Sequence, residues 1–196
     1  MIDVLIIGSG FGGLGAAIRL KAAGIDDIVI LERFGKVGGT WRDNTYPGAA
    51  CDIPSNLYSY SFAPNLNWSR AYSGSQEILG YVHHLVERYA LAPLIRFNHT
   101  VVDARFDEPA AQWVVTTAEG AVLHARHVIM ASGGLANPSF PAINGLDSFT
   151  GHKIHSARWD HDYDFTGKRV GGIGPGASAV KLIPEWVKGA DKVQAF

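Results

Sequence analysis

The sequence predicts an α/β fold with two dinucleotide-binding units, the second of them incomplete. Three observations carry that expectation. A short apolar run, Asp3–Ile7, meets a glycine-rich turn, then a helical pattern, then a second apolar run. The same order of strand, glycine turn and helix returns from Lys168 onward. Strand-like runs fill the stretch from 94 to 130, bounded by turn residues.

The first unit reads in order. DVLII is a buried-strand pattern that stops at Gly8, and LGAAIRLKAAG has apolar residues at helical spacing and stops at Gly24. IVILE, 28–32, completes a β-α-β unit of about the expected ~30 residues. Residues 33–74 are loop-rich, with Gly, Pro, Asn and Ser among aromatics. SQEILGYVHHLVERYAL, 75–91, predicts a helix with Ser75 as its cap and Glu77 in the first turn. LIRFN, TVVDARF, QWVVTTA and AVLHARHVIMA predict strands, the last two joined by a hairpin turn at Glu119-Gly120. Residues 132–168 read as a connector, and KVQAF at 192–196 as the strand after the second helix.

Gly8-Ser9-Gly10-Phe11-Gly12-Gly13 satisfies GxGxxG. Gly8 permits the tight turn, Gly10 lets the backbone approach a pyrophosphate, and Gly13 permits close helix–strand packing. The helix N-terminus that follows offers N–H groups and a positive dipole end. Glu32, at the end of the second strand, is placed to accept hydrogen bonds from a ribose hydroxyl pair. An acidic residue there repels a 2′-phosphate, so this cradle suits FAD or NAD rather than NADP. Gly174-Pro175-Gly176-Ala177-Ser178-Ala179 is a second cradle, of the form GxGxxA. Its leading strand contains Gly171 and Gly172, which weaken a strand through entropy and missing side chains.

Between the cradles, FTGHKIHSARWD, 149–160, has Phe149, Gly151, His155 and Trp159 at fixed spacing. Residue by residue, Gly151 predicts an unusual backbone angle, and Phe149 and Trp159 predict burial that anchors the connector. His155 can donate and accept hydrogen bonds and so hold a linker that moves.

FxGxxxHxxxW followed by Asp160, together with GGTW at 38–41, YPGAACD at 46–52 and YSYSF at 58–62, resembles the Baeyer–Villiger type of class B flavoprotein monooxygenases, in an N-terminal portion. Ala131-Ser132-Gly133 resembles the Ala-Thr-Gly stretch of such Rossmann-like folds. The resemblance implies FAD and NADPH as cofactors, and O2 and a ketone as substrates, the ketone becoming an ester or lactone. It implies FAD contacts from Gly8, Gly10, Phe11, Gly12, Gly13, Glu32, Gly39, Thr40, Trp41, Asp52, Tyr58, Val101 and Ser132. It implies NADP contacts from Ala50, Cys51, Asp52, Gly174, Gly176, Ala177, Ser178 and Ala179. Asp52 takes the place of an active-site carboxylate that positions an Arg, and His155 that of a residue controlling conformation during catalysis. That Arg, and the basic residue that selects NADP, are expected past Phe196. The implied organisation is an FAD domain at 1–148 with a strand insertion at about 94–130, a linker at 149–168, and the start of an NADP domain at 169–196.

Other classes are excluded or kept as alternatives. A net charge of −1 gives no footprint for nucleic acid or an anionic membrane. No apolar run approaches the ~18 residues of a membrane span. No basic n-region or cleavage site precedes the first strand, and Cys51 is the lone cysteine, so the reading is cytoplasmic. DHDYD, 160–164, opens like a calcium loop, but Phe165 stands at its Gly position and Gly171 at its terminal Glu position, so no metal is expected. A disulfide reductase needs a CxxxxC pair that this sequence lacks. The alternatives are an N- or S-hydroxylating flavin monooxygenase, against which Trp159 speaks, and an FAD-binding fragment without turnover.

Overall fold

The computed structural model describes residues 1–196. The chain forms two compact units, residues 1–42 with 79–136, and residues 43–78 with 137–196. This division is not the linear one drawn from the sequence, because each unit takes two separate stretches of chain.

In the first unit, β1 (Ile2–Ile7) leads into α1 (Phe11–Ala22) and β2 (Ile28–Leu31). The short helix α2 (Thr40–Asp43) ends where the chain passes to the second unit, and α3 (Ser75–Arg88), whose first turn belongs to that unit, carries the chain back to β3 (Ile95–Arg96). β4 (Val101–Asp107), β5 (Gln112–Thr117) and β6 (Val122–Met130) form an antiparallel meander. The sheet order is β3-β2-β1-β6-β5-β4, and its first four strands are parallel. Of LIRFN only Ile95 and Arg96 pair, because Asn98 turns the chain at φ 56°. The expected hairpin between β5 and β6 is present, with Gly120 at φ 87°.

Both faces of β1 and β2 are covered, which is why their sequences are unbroken apolar runs rather than alternating ones. Leu5, Ile7, Val29 and Leu31 cluster with Val115, Leu123 and Ala125 of the meander. Strand alternation turns Val4, Ile6, Ile28 and Ile30 the other way, and Ile6 meets α1 at Gly13. Leu5, Ile6, Leu14 and Ile30 are completely buried, each contributing about 1.5–3 kcal/mol of transfer free energy.

The second unit holds β7 (Arg169–Gly172), α4 (Ala177–Trp186) and β8 (Lys192–Ala195), with β7 and β8 parallel. Gly172, expected to weaken its strand, has a packing reason. A Cβ there would stand 2.9 Å from Cζ3 of Trp186, so glycine lets the indole of α4 lie on β7. No helix of the chain is long and apolar enough to cross a membrane.

Ser75 is not the cap of α3. The carbonyl that opens the helix is that of Gly74, which accepts from Glu77 and Ile78 N–H, and Ser75 is the first helical residue. Its own N–H donates to Ala49 O at 2.9 Å.

Gly13→Ala should destabilise the chain by about 3 kcal/mol or more, since the new Cβ would lie 1.9 Å from the backbone oxygen of Gly8, an atom with nowhere to move. Gly80→Ala, in α3 with nothing within 4 Å of the new Cβ, should instead stabilise it by about 0.5–1 kcal/mol. Thermal unfolding followed by far-UV circular dichroism reads both.

Candidate functional site

The first cradle forms because three backbone segments come closer than side chains allow. Gly8 turns at φ 107°, and a Cβ there would meet Ala131 O at 2.4 Å. Gly13 lies against Gly8 O, and Gly12 faces Ala131 Cβ at 3.6 Å. Ala131 N–H continues the β6 ladder by donating to Ile7 O, which brings the Ala131-Ser132-Gly133 stretch to the mouth of the turn. The second glycine pair closes the other side. Gly38 N–H donates to Ser9 O at 3.2 Å, and a Cβ on Gly39 would stand 3.1 Å from Gly10 Cα. Thr40 is exposed and Trp41 buried at the start of α2.

These features fit a pyrophosphate. Helix α1 has no side-chain cap and no acidic residue in its first turn, while Arg19 and Lys21 lie in its last. Its N–H groups and positive dipole end stay available to an anion. Gly10 and Gly12 present no Cβ that would hold a phosphate away from the backbone.

Glu32 stands where the sequence placed it, at the end of β2, but it is already engaged. Its side chain is 4% exposed. Oε2 accepts from Ser9 N–H at 3.1 Å and from the Ser9 hydroxyl at 2.6 Å. Oε1 accepts from Phe34 N–H at 3.0 Å and from Arg42 Nη1 at 2.9 Å. A carboxylate this deep requires such partners. Val101 is brought to the same end of the site, two residues after His99, whose N–H donates to Glu32 O at 2.9 Å. Ser9 and Arg42 are not among the site residues expected from the sequence. Ser9 is a variable position of the motif, and only its place next to Gly8 could have marked it.

The second unit carries the other candidates. Ala50, Cys51, Asp52 and Tyr58 lie on one loop, laced to residues 71–75. Ala50 bridges Gly74, Cys51 N–H donates to Ser73 O at 3.0 Å, and Ser55 N–H donates to Ala71 O at 2.7 Å. Two buried hydroxyls reinforce the lacing: Ser55 Oγ donates to Ser73 Oγ at 2.9 Å and accepts from Ser73 N–H at 2.7 Å. Cys51 is buried and Asp52 exposed, so the loop turns its thiol inward and its carboxylate outward. Tyr58 is half-buried, just past the 3-10 turn Ser55–Leu57. The loop rests on α4, since a Cβ on Gly48 would lie 2.7 Å from Lys181 O.

In the second cradle Gly174 turns at φ 105°, and α4 begins with Ala177, Ser178 and Ala179 behind Gly176, again with neither side-chain cap nor acidic first turn. Nothing stands within 4 Å of a Cβ built on Gly174 or Gly176. This cradle is open where the first is tightly packed.

The connector differs from expectation at two of its marked residues. Gly151 is not among the residues with positive φ, and its need is spatial, because the Phe149 ring lies 2.4 Å from a Cβ built on it. Phe149 is 56% exposed, so it does not anchor the connector by burial, whereas Trp159 is half-buried. His155 Nδ1 accepts from Ala157 N–H at 3.1 Å, and Arg158 N–H returns to His155 O at 2.8 Å, so this side chain staples a turn. Its ring meets Phe140 edge-on at 5.5 Å. His152 pairs with Asp160 at 3.0 Å and stacks on Tyr163 at 4.0 Å, an arrangement with no sequence signal.

A family model described as "Pyridine nucleotide-disulphide oxidoreductase" matches residues 5–196. A Baeyer-Villiger monooxygenase of Streptomyces coelicolor is 50% identical over 195 residues, which are 100% of this chain and 37% of that protein. One from Pseudomonas aeruginosa is 45% identical over 182 residues, 93% of this chain and 34% of that protein. Among solved structures, an oxidized steroid monooxygenase bound to NADP superposes with a TM-score of 0.87 at 43% identity, covering 99% of this chain and 38% of that one. The OTEMO complex with FAD and NADP gives a TM-score of 0.90 at 36% identity, covering 100% and 38%. The chain thus spans a little over a third of the length of the relatives it matches.

Glu77 locks the segment that holds the Asp52 loop. Its carboxylate accepts Ser69 N–H at 2.7 Å and the Ser69 hydroxyl at 2.8 Å. The Ser69 N–H above all holds its pKa below the ordinary 4.5; burial opposes it, and the hydroxyls of Ser69 and Ser73 and the charge of Arg70 add to the lowering. A lowered folded value contributes stability above the ordinary value and loses it as pH falls through the folded one. Glu77→Gln should therefore lower the melting temperature at pH 7. The gap to the parent chain should close as pH falls from 4.5 through the lowered folded value. A gap unchanged in acid would contradict the assignment.

Proposed function

Because the chain belongs to the pyridine nucleotide-disulphide oxidoreductase family, we propose that it is the cofactor-binding part of a Baeyer–Villiger-type flavoprotein monooxygenase, which inserts one oxygen of O2 beside a ketone carbonyl to give an ester or lactone. The observation that carries this reading is 50% identity to a Baeyer-Villiger monooxygenase along the whole chain. The disulfide-reducing branch of the family does not fit, since Cys51 is the only cysteine and is buried.

In this proposal the first cradle takes the adenosine diphosphate half of FAD. Helix α1 and the backbone of Gly10 and Gly12 receive the pyrophosphate, Glu32 and Val101 flank the adenosine, and Gly39, Thr40, Trp41 and Ser132 of the same unit serve the rest, while Tyr58 is a further FAD contact that the resemblance implies. The second cradle takes NADPH, with Gly174, Gly176, Ala177, Ser178 and Ala179 at its phosphates. The bound flavin would supply hydride acceptance and O2 activation. Asp52 presents an exposed carboxylate, fixed by the Ser55–Ser73 lacing, that can orient a cationic partner by charge-assisted hydrogen bonding. His155 keeps the connector turn in shape. By cofactor rather than by packing, we assign 1–148 to the FAD-binding domain, 149–168 to the linker and 169–196 to the start of the NADP domain. The unpaired cysteine and the NADPH requirement suit the cytoplasm. A second reading, cofactor binding without turnover by these residues alone, is favoured by coverage of 37% of the Streptomyces relative's length.

The test is a visible spectrum of the purified, desalted chain, repeated anaerobically with NADPH. A flavin spectrum that bleaches supports both cradles. A flavin spectrum that persists supports the binding-only reading. A chain that neither carries flavin nor takes up added FAD overturns the proposal. Glu32→Ala should weaken FAD binding about tenfold or more, through loss of hydrogen bonds to a charged acceptor.

A further inference from the structure

The Glu32 carboxylate has two oxygens with about four lone-pair positions. Four donors of the chain already occupy them: Ser9 N–H, the Ser9 hydroxyl, Phe34 N–H and Arg42 Nη1. A ribose diol brings further donors to the same atoms, so at least one resident donor has to leave. Two of the four are backbone groups, fixed by the bonds of Ser9 O to Gly38 N–H and of Phe34 O to Asn98 N–H. The Ser9 hydroxyl belongs to a residue of 0% exposure and has no acceptor besides Glu32. Arg42 is different. Its side chain is 13% exposed, its Nη1 also donates to Lys36 O at 2.6 Å, and its guanidinium lies 4.3 Å over the Phe34 ring. It can release Glu32 and keep other partners.

We infer that Arg42 is a further residue of the adenosine-ribose site, one whose guanidinium holds Oε1 of Glu32 and yields it to the ribose diol when a nucleotide binds. This rests on the reading of the first cradle as an adenosine diphosphate site. Arg42 then sets affinity in an unusual direction. It stabilises the ligand-free carboxylate more than the occupied one, so it opposes binding.

The test uses ADP and 2′-deoxy-ADP with the full chain, by isothermal titration calorimetry and thermal unfolding. The parent chain should prefer ADP. If it does not, Glu32 is not a ribose acceptor, and both that reading and this inference fail. Given that preference, Arg42→Met should bind ADP about threefold to tenfold more tightly than the parent. Its melting temperature should fall more without ligand than at saturating ADP. Weaker or unchanged ADP binding, with equal falls in melting temperature, would mean that Arg42 stays on Glu32, and overturns the inference alone. A folding failure of the Met variant is covered by the parent chain labelled with 15N-arginine. The Arg42 Nε–H signal, assigned by its loss in Arg42→Lys, should shift on adding ADP, and an unmoved signal contradicts the inference.

Discussion

The approach of α1 to β1 at Gly13 is the constraint from which the rest of the first unit follows. With no Cβ at Gly13 or Gly8, the helix starts directly behind the strand end and points its N-terminus across the turn. Because that turn is so tight, Ala131, just past β6, and Gly39 of the next loop can both reach it. The apolar runs of β1 and β2 hold the arrangement from beneath, buried on both faces. A larger residue at Gly13 would separate helix from strand and lose the cradle with the packing.

Polar groups around this cradle are arranged by the same economy of space. Glu32 is too deep to be hydrated, so the turn itself supplies its donors through Ser9. In the second unit, Ser55 and Ser73 do the comparable work, closing a loop whose Ile53 and Leu57 side chains are exposed. Both devices fix backbone that carries a candidate carboxylate. One buries its acid and the other exposes it, which suits a recognition role for Glu32 and an orienting role for Asp52.

Features governed by local sequence were legible. The glycine spacing, the apolar periods of β1, α1 and β2, and the turn at Gly120 each depend on neighbours a few residues apart. The position of Glu32 was legible as well, because its distance from the turn follows from the length of a β-α-β unit. Its partners were not. Arg42 is 10 residues away and Ser9 is 23, and only the folded chain brings them together. Gly151 and Phe149 misled for a related reason: a glycine can serve space rather than angle, and an aromatic ring can cover its own neighbour instead of a core. Ser75 looked like a cap by residue type, but the carbonyl of Gly74 had already taken that place. Gly172 looked like a flaw until Trp186 was seen to lie on it.

The central claim is that the two cradles are distinct in ligand, with FAD on α1 and NADPH on α4. Backbone amide chemical shifts of the 15N-labelled chain test it most directly. Added FAD should move the signals of Gly10, Phe11, Gly12 and Gly13 and leave those of Gly176, Ala177 and Ser178 in place, while NADPH should do the reverse. FAD shifts confined to the α4 cradle, or absent from Gly10–Gly13, would contradict the account.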